Sequence, residues 1–196
     1  MIIIDDFVKD SNLLTRIEHD DTFFGENGNF MWWDGWWNTE AHTLKQELIE
    51  YVWKYRSPWD HPRYQSINNL MGFEYWTGVY GDDKPNKNLG WHFDKDEKHW
   101  LNTGGNDGGE VISPIIGTIY YPKKSEFTGG YLEIQSAGDD GPAEVIEPKF
   151  NRLIIFDAGK HKHRVTEVKS GLRYAIAINL WQTSLVGLDT NDFTIE

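Results

Sequence analysis

From Leu70 onward the chain is a succession of about eight short β-rich runs, parted by Gly, Asn, Asp and Pro, with no helical period between them. They fall near Gly72 to Tyr80, Gly90 to Asp94, Ile115 to Tyr121, Tyr131 to Gln135, Ala143 to Ile146, Arg152 to Phe156, His163 to Val168 and Leu172 to Trp181. Runs of this length with turn residues between them predict two packed sheets or a barrel, and a mainly β jelly roll is the expected fold. Two polar connections interrupt the pattern: a short one over 82–87, and a long one over Lys95 to Pro114, whose length predicts a functional or mobile loop.

The first part of the chain reads differently. Ile2 to Ile4 suits a short strand, and Ser11 can cap a helix that carries Leu13, Leu14 and Ile17 on one face. A second helix is expected from the 3.6-residue stripe Leu44, Leu48, Val52 and Tyr55, with Thr39 as its cap. Between them lies Met31-Trp32-Trp33-Asp34-Gly35-Trp36-Trp37. It reads either as hydrophobic cover for the core or as a platform for substrate. The expected organisation is one domain over 1–196, with helical support over 1–69, a β core over 70–181 and a C-terminal tail over 182–196.

Composition narrows the function. With 19 Lys and Arg against 31 Asp and Glu, the net charge is −12, and no basic cluster suits a phosphate backbone. Nucleic acid is therefore not an expected partner. The absence of cysteine removes disulfides, zinc thiolates and a cysteine nucleophile, so any metal must be held by nitrogen and oxygen. The start of the chain has no basic leader with an apolar run, and no stretch is apolar enough to span a bilayer. An intracellular, soluble, cytoplasmic protein is the default expectation, with no membrane partner; the oligomeric state is not readable.

Three signals carry chemistry. In Trp91-His92-Phe93-Asp94, strand alternation would project His92 and Asp94 together, half of a metal site. Asp96, Glu97 and His99 are competing ligands in the adjoining loop. The second signal is the run Asn151 to Asp157, a turn through Ala158-Gly159, and then Lys160-His161-Lys162-His163, which brings a histidine to a sheet mouth. Either His161 or His163 could complete two histidines and one carboxylate, the set that binds non-haem Fe(II) and leaves positions open. The third is Arg173, ten positions beyond His163. On its strand Leu172, Tyr174, Ile176, Ile178 and Leu180 make one bulky face, while Arg173 shares the other with Ala175 and Ala177. An inward arginine needs an anion, the two alanines clear space for it, and the planar guanidinium suits a carboxylate.

With these motifs the chain resembles the Fe(II)- and 2-oxoglutarate-dependent dioxygenases, in their prolyl 4-hydroxylase-like branch. The pattern of that family is His-x-Asp, a distal His, and an Arg or Lys about ten residues further on. The likeness runs from Tyr75 to Trp181 and takes in Ile119-Tyr120-Tyr121-Pro122, Gly129-Gly130-Tyr131-Leu132 and Glu147 to Leu153. It implies a double-stranded β-helix. It also implies that His92, Asp94 and His163 are the iron ligands, that Arg173 and Tyr121 bind the far carboxylate of 2-oxoglutarate, and that Tyr80 lines the cosubstrate pocket. His161 and His99 have no counterpart in the pattern.

The cofactors implied are Fe(II), 2-oxoglutarate and O₂, with ascorbate as an accessory reductant. The reaction implied is hydroxylation of a peptide, protein or small-molecule substrate, a prolyl residue foremost, with release of succinate and CO₂. An aspartate at position 94 favours hydroxylation over the halogenation of relatives that vacate this carboxylate. Two other readings are a cupin-like metal- or ligand-binding module without oxygenase activity, and a nucleic-acid demethylase. The net charge and the lack of a second arginine after Arg173 disfavour the demethylase.

Overall fold

The structure is a computed structural model describing residues 1–25, 29–55, 69–81, 83–135 and 141–186. Two antiparallel sheets face one another. The larger has the order β1-β9-β5-β11-β3-β2, with β6 also paired to β11. Its strands are β1 (Ile2–Ile4), β2 (Met31–Trp33), β3 (Gly72–Gly81), β5 (Ile116–Tyr120), β6 (Phe127–Gly129), β9 (Leu153–Phe156) and β11 (Val168–Trp181). The smaller is β4-β10-β7-β8, formed by β4 (Leu89–His92), β7 (Leu132–Gln135), β8 (Ala143–Ile146) and β10 (His163–Val165). This is the expected mainly β jelly roll. Its β core also recruits β1 and β2 from the N-terminal segment read as helical support.

The long strand β11 organises the molecule. Ile176, Ile178 and Leu180 on one face join a core of Phe73, Tyr75, Ile116, Tyr120, Leu153 and Ile155 beneath the helices. Strand alternation turns Arg173, Ala175, Ala177 and Asn179 toward the smaller sheet. There, Tyr121, Leu132, Ile134, Ile146, Ile154, Phe156, Ala158 and Ala175 form a second apolar cluster between the sheets. The bulky face inferred from the sequence is thus the helix-side core, and the small-residue face lines the interior cleft.

Two helices cover the larger sheet. α1 (Ser11–His19) buries Leu13 and Ile17, but its cap is Asp10, whose carboxylate accepts from Asn12 and Leu13 N–H at 2.9 and 3.1 Å. Ser11 is instead the first helical residue. α2 (Leu44–Glu50) continues into a wider turn over Tyr51–Tyr55, and buries Leu48, Ile49, Val52 and Trp53. Thr43 caps it in a reciprocal box with Gln46. Thr39 belongs to an earlier turn, its N–H donating to Gly35 O at 3.0 Å, so it is displaced from the cap by four residues of non-helical chain. A cap of this kind contributes about 1 kcal/mol.

The tryptophan-rich segment is partly the edge strand β2, which pairs with β3 through Met31↔Tyr75 and Trp33↔Phe73. Trp33, Trp36 and Trp37 gather around the Phe73 ring at centroid distances of 5.9, 5.7 and 5.7 Å. They cover the helix-side core, and the platform reading is not supported there. The 95–114 connection holds a short helix, α3 (Glu97–Asn102), capped by Asp96. Asp96 is buried and also accepts from Val186 N–H at 2.6 Å, which ties the C-terminal segment to this connection. Six helical residues are too few for a periodic stripe to show in sequence. Among the described residues, no helix is long and apolar enough to cross a membrane.

Candidate metal centre

Antiparallel pairing of β4 with β10 sets His163 directly opposite His92, and their ring centroids lie 4.2 Å apart. Asp94 follows β4 by two residues and is pinned by its N–H to Ala158 O at 3.1 Å. Its Oδ1 stands 3.5 Å from Nε2 of both His92 and His163. One ligand atom from each of the three residues falls within 4.8 Å of the others. His92 Nδ1 meets Gly90 O at 2.8 Å and His163 Nδ1 meets His161 O at 2.9 Å. A carbonyl can only accept, so each Nδ1 carries the hydrogen and each Nε2 lone pair is left facing the cluster, the tautomer a metal requires.

The other candidates lie elsewhere. His161 Nδ1 is directed to Gln135 O at 3.1 Å, His99 Nε2 lies 3.0 Å from Glu110, and Glu97 pairs with Lys95. Asp96 is spent on capping α3 and on Val186. The choice left open between His161 and His163 is made by strand pairing. Only His163 is in register with His92.

Charge within the cluster is balanced. Burial by itself would raise the Asp94 carboxyl, but His163 and His92, which can donate from Nε2 to it once they take up a second proton, hold it well below the usual carboxylate range. Burial also opposes protonation of His92, yet Asp94 and the Gly90 carbonyl outweigh it and lift the imidazole above its ordinary 6.5. The donor set of two imidazoles and one carboxylate fits a divalent first-row metal.

Deeper in the same cleft is Arg173. It is only 1% exposed, and its Nη2 donates to the Tyr121 hydroxyl at 3.2 Å while Nε has no partner among the described residues. Tyr80, opposite Arg173 in the β3–β11 register, and Tyr121 present their rings 5.6 and 5.1 Å from the guanidinium carbon. Burial raises the Tyr80 hydroxyl above its ordinary pKa, so it remains a neutral donor at physiological pH. A buried guanidinium with a free N–H is incomplete without an anion. Gly78, Gly117, Ala175 and Ala177 line the path between it and the histidines, leaving room for one. At Gly130, φ is +65° and a Cβ would come within 2.8 Å of Arg173 Cδ, so glycine there also makes space for the arginine stem.

Sequence reasoning missed two residues. Asn179, buried on the Arg173 face of β11, donates from Nδ2 to Asp94 Oδ2 at 2.9 Å. Glu74, opposite it in register on β3, accepts from the same nitrogen at 3.4 Å. Extending the Arg173-Ala175-Ala177 alternation by one step reaches Asn179, and running β3 backward from Tyr80 through Gly78 and Trp76 reaches Glu74. The signal was therefore present, but nothing in the local sequence tied it to Asp94. Asn179→Ala should release one oxygen of Asp94 and weaken Mn(II) binding by roughly 10- to 100-fold, the usual effect of losing a group that orients a ligand. Isothermal titration with Mn(II) measures this, and equal affinity in the variant would remove Asn179 from the site.

The pattern of the 2OG-Fe(II) oxygenase superfamily matches residues 75–181, a span holding the three clustered residues, Arg173 and both tyrosines. No curated protein sequence matches the chain. Among solved structures, a prolyl-4-hydroxylase of Pseudomonas putida is similar at 16% identity and TM-score 0.60, covering 93% of this chain and 88% of its own. A Trichoplax adhaerens prolyl hydroxylase, solved with a hypoxia inducible factor peptide, is similar at 15% identity and TM-score 0.60, covering 92% and 83%. The viral collagen prolyl hydroxylase of Paramecium Bursaria Chlorella virus-1 is similar at 19% identity and TM-score 0.55, covering 91% and 93%.

Proposed function

The chain belongs to the 2OG-Fe(II) oxygenase superfamily, and from that premise we propose that it is a hydroxylase of the prolyl 4-hydroxylase-like kind, oxidising a prolyl residue of a peptide or protein. The family implies Fe(II), 2-oxoglutarate and O₂. His92, Asp94 and His163 would hold the metal, while Arg173, Tyr121 and Tyr80 would line the 2-oxoglutarate site. Ascorbate, as a reductant that restores Fe(II), is part of the proposal.

One observation carries the reading: a fully buried arginine with an unpaired N–H faces the same cleft as two histidines and an aspartate. A ligand with a carboxylate at one end and metal-chelating oxygens at the other would satisfy both. A cupin-like binding module would need the metal cluster but gives no reason to bury Arg173.

When bound, the metal with O₂ and 2-oxoglutarate supplies the oxidising power, and succinate and CO₂ are the products. The protein's own part is orientation and exclusion of water. The carbonyls of Gly90 and His161 fix both imidazoles, Asn179 fixes the carboxylate, and Arg173 with Tyr121 sets the reach of the cosubstrate. Asp94 cancels part of the cationic charge, so the cleft need not bury a large excess of one sign.

The test loads the protein with Fe(II) without oxygen, adds 2-oxoglutarate and blocked prolyl peptides, and admits air. Succinate formation accompanied by one added oxygen atom on proline is expected, with alanine-substituted peptides inert. Succinate without any modified peptide would retain the oxygenase and discard the prolyl assignment.

A further inference from the structure

In front of His92 and Asp94 the cleft widens into an outer chamber of about 400 Å³. Its walls include Phe30, Trp76, Tyr80 and Leu89. Phe30 and Trp76 pack with centroids 4.8 Å apart, and Phe30 is 58% exposed, so an aromatic rim stands open at the mouth. Among the described residues four carboxylates line the chamber, and three are committed. Asp94 belongs to the metal cluster, Asp96 caps α3, and Glu97 pairs with Lys95.

Glu74 is the fourth. It receives one long hydrogen bond from Asn179, and the Trp181 indole lies beside it without a well-formed bond of its own. Lys95 faces Glu97 and the Trp100 ring, and Lys98 is exposed on α3, so neither neutralises Glu74. Burial first, and the nearby Asp94 charge second, push its carboxyl up to about 7. Among the described residues no cationic side chain pairs with Glu74 on the chamber wall, and the aromatic faces beside it favour a cation there.

We propose that Glu74 recognises a positively charged nitrogen of the substrate, held against Trp76 next to the carbon that is oxidised. Proximity to the reacting carbon follows from Asn179: its single amide nitrogen contacts both Glu74, at 3.4 Å, and Asp94 of the histidine-aspartate cluster, at 2.9 Å. The charged group therefore belongs to the oxidised residue or to its immediate neighbour. The inference rests on the hydroxylase reading for what is oxidised, and names the substrate class as basic: on the prolyl reading, a proline beside a lysine.

The experiment separates the two claims. n-Butylammonium and n-butanol are titrated into the protein loaded with diamagnetic Zn(II) and 2-oxoglutarate and followed by the indole N–H resonances. Wild type should prefer the amine by about tenfold or more, the effect of one charge-assisted contact in a partly desolvated site. Glu74→Gln should erase that preference while Mn(II) affinity stays unchanged. In a second arm, N-acetyl-Lys-Pro-Gly-amide should be turned over about tenfold better than its norleucine analogue, with the difference lost in Glu74→Gln. Free L-lysine and L-proline in the same assay distinguish a free amino acid from a peptide-borne charge. Equal binding of amine and alcohol to wild type overturns the inference without recourse to any variant. A Glu74→Gln protein that loses Mn(II) affinity but keeps its amine preference also overturns it, since Glu74 would then only brace Asn179. Amine preference with neither peptide turned over retains the cation site and discards the prolyl reading.

Discussion

Replacing Arg173 with alanine is expected to weaken 2-oxoglutarate binding by roughly 30-fold to several thousand-fold, the loss of about 2 to 5 kcal/mol that follows truncation of a buried charge pair. The guanidinium is enclosed by Tyr80, Tyr121 and Gly130, with one N–H donated to Tyr121 and Nε without a partner among the described residues, so an incoming carboxylate would meet it directly. Metal affinity should change little, because the arginine makes no contact with the histidine-aspartate cluster. Arg173→Lys should recover only part of the binding, since an ammonium carries charge without the planar fork. Separate titrations of Mn(II) and of 2-oxoglutarate distinguish the two effects. A thermal scan adds a second readout: 2-oxoglutarate should raise the Tm of the metal-loaded wild type and leave that of Arg173→Ala nearly unmoved. Unchanged cosubstrate affinity in the alanine variant would dismiss the anion pocket, despite its depth.

The second large effect concerns the cluster itself. His92→Ala and His163→Ala should each abolish turnover and reduce Mn(II) binding below detection, whereas His161→Ala should keep most of both. His161 contributes a backbone carbonyl to His163, which alanine also provides, and its own ring is turned toward Gln135. A dead His161 variant beside an active His163 variant would reverse the assignment. Protons compete with metal for the same Nε2 lone pairs, and His92 is lifted above 6.5 by Asp94 and the Gly90 carbonyl despite burial. The sign follows: affinity is full above the His92 pKa and declines as pH falls through it. The decline should begin above the ordinary imidazole value of 6.5, approaching about tenfold per pH unit for each proton displaced. A Mn(II) affinity that stays level from pH 7.5 to 5.5 would count against histidine ligation.

Glu74 and Asn179 bear on how the site is assembled. The carboxylate of a metal cluster is useful only if its second oxygen is restrained, and here the restraint comes from the far end of β11, in the same strand that carries Arg173. One strand thus carries both the buried Arg173 and the residue that holds Asp94. The unbroken register of β11 with β3, from Leu172↔Gly81 to Trp181↔Gly72, fixes the spacing between the two.

Local chemistry made much of this readable. Period-two alternation in Leu172 to Trp181 identified the face carrying Arg173, because the pleat assigns neighbouring residues to opposite sides whatever they pack against. The β-rich runs were legible for the same reason, whereas β4 ends at His92, so Asp94 is brought beside it by its N–H to Ala158 O rather than by strand alternation. The jelly roll and the family pattern followed from those signals taken in order. Other features depend on which strands meet. His161 and His163 would share a face if both lay on the strand, but β10 begins only at His163, and its pairing with β4 sets His163 opposite His92. Ser11 and Thr39 looked as good as Asp10 and Thr43, because capping is decided by where the backbone leaves the helix. Glu74 and Asn179 are 105 residues apart and become neighbours only in the β3–β11 ladder. Sequence patterns specify how each segment presents its faces, whereas long-range registry decides which faces confront each other; it is the second that turns scattered polar residues into one site.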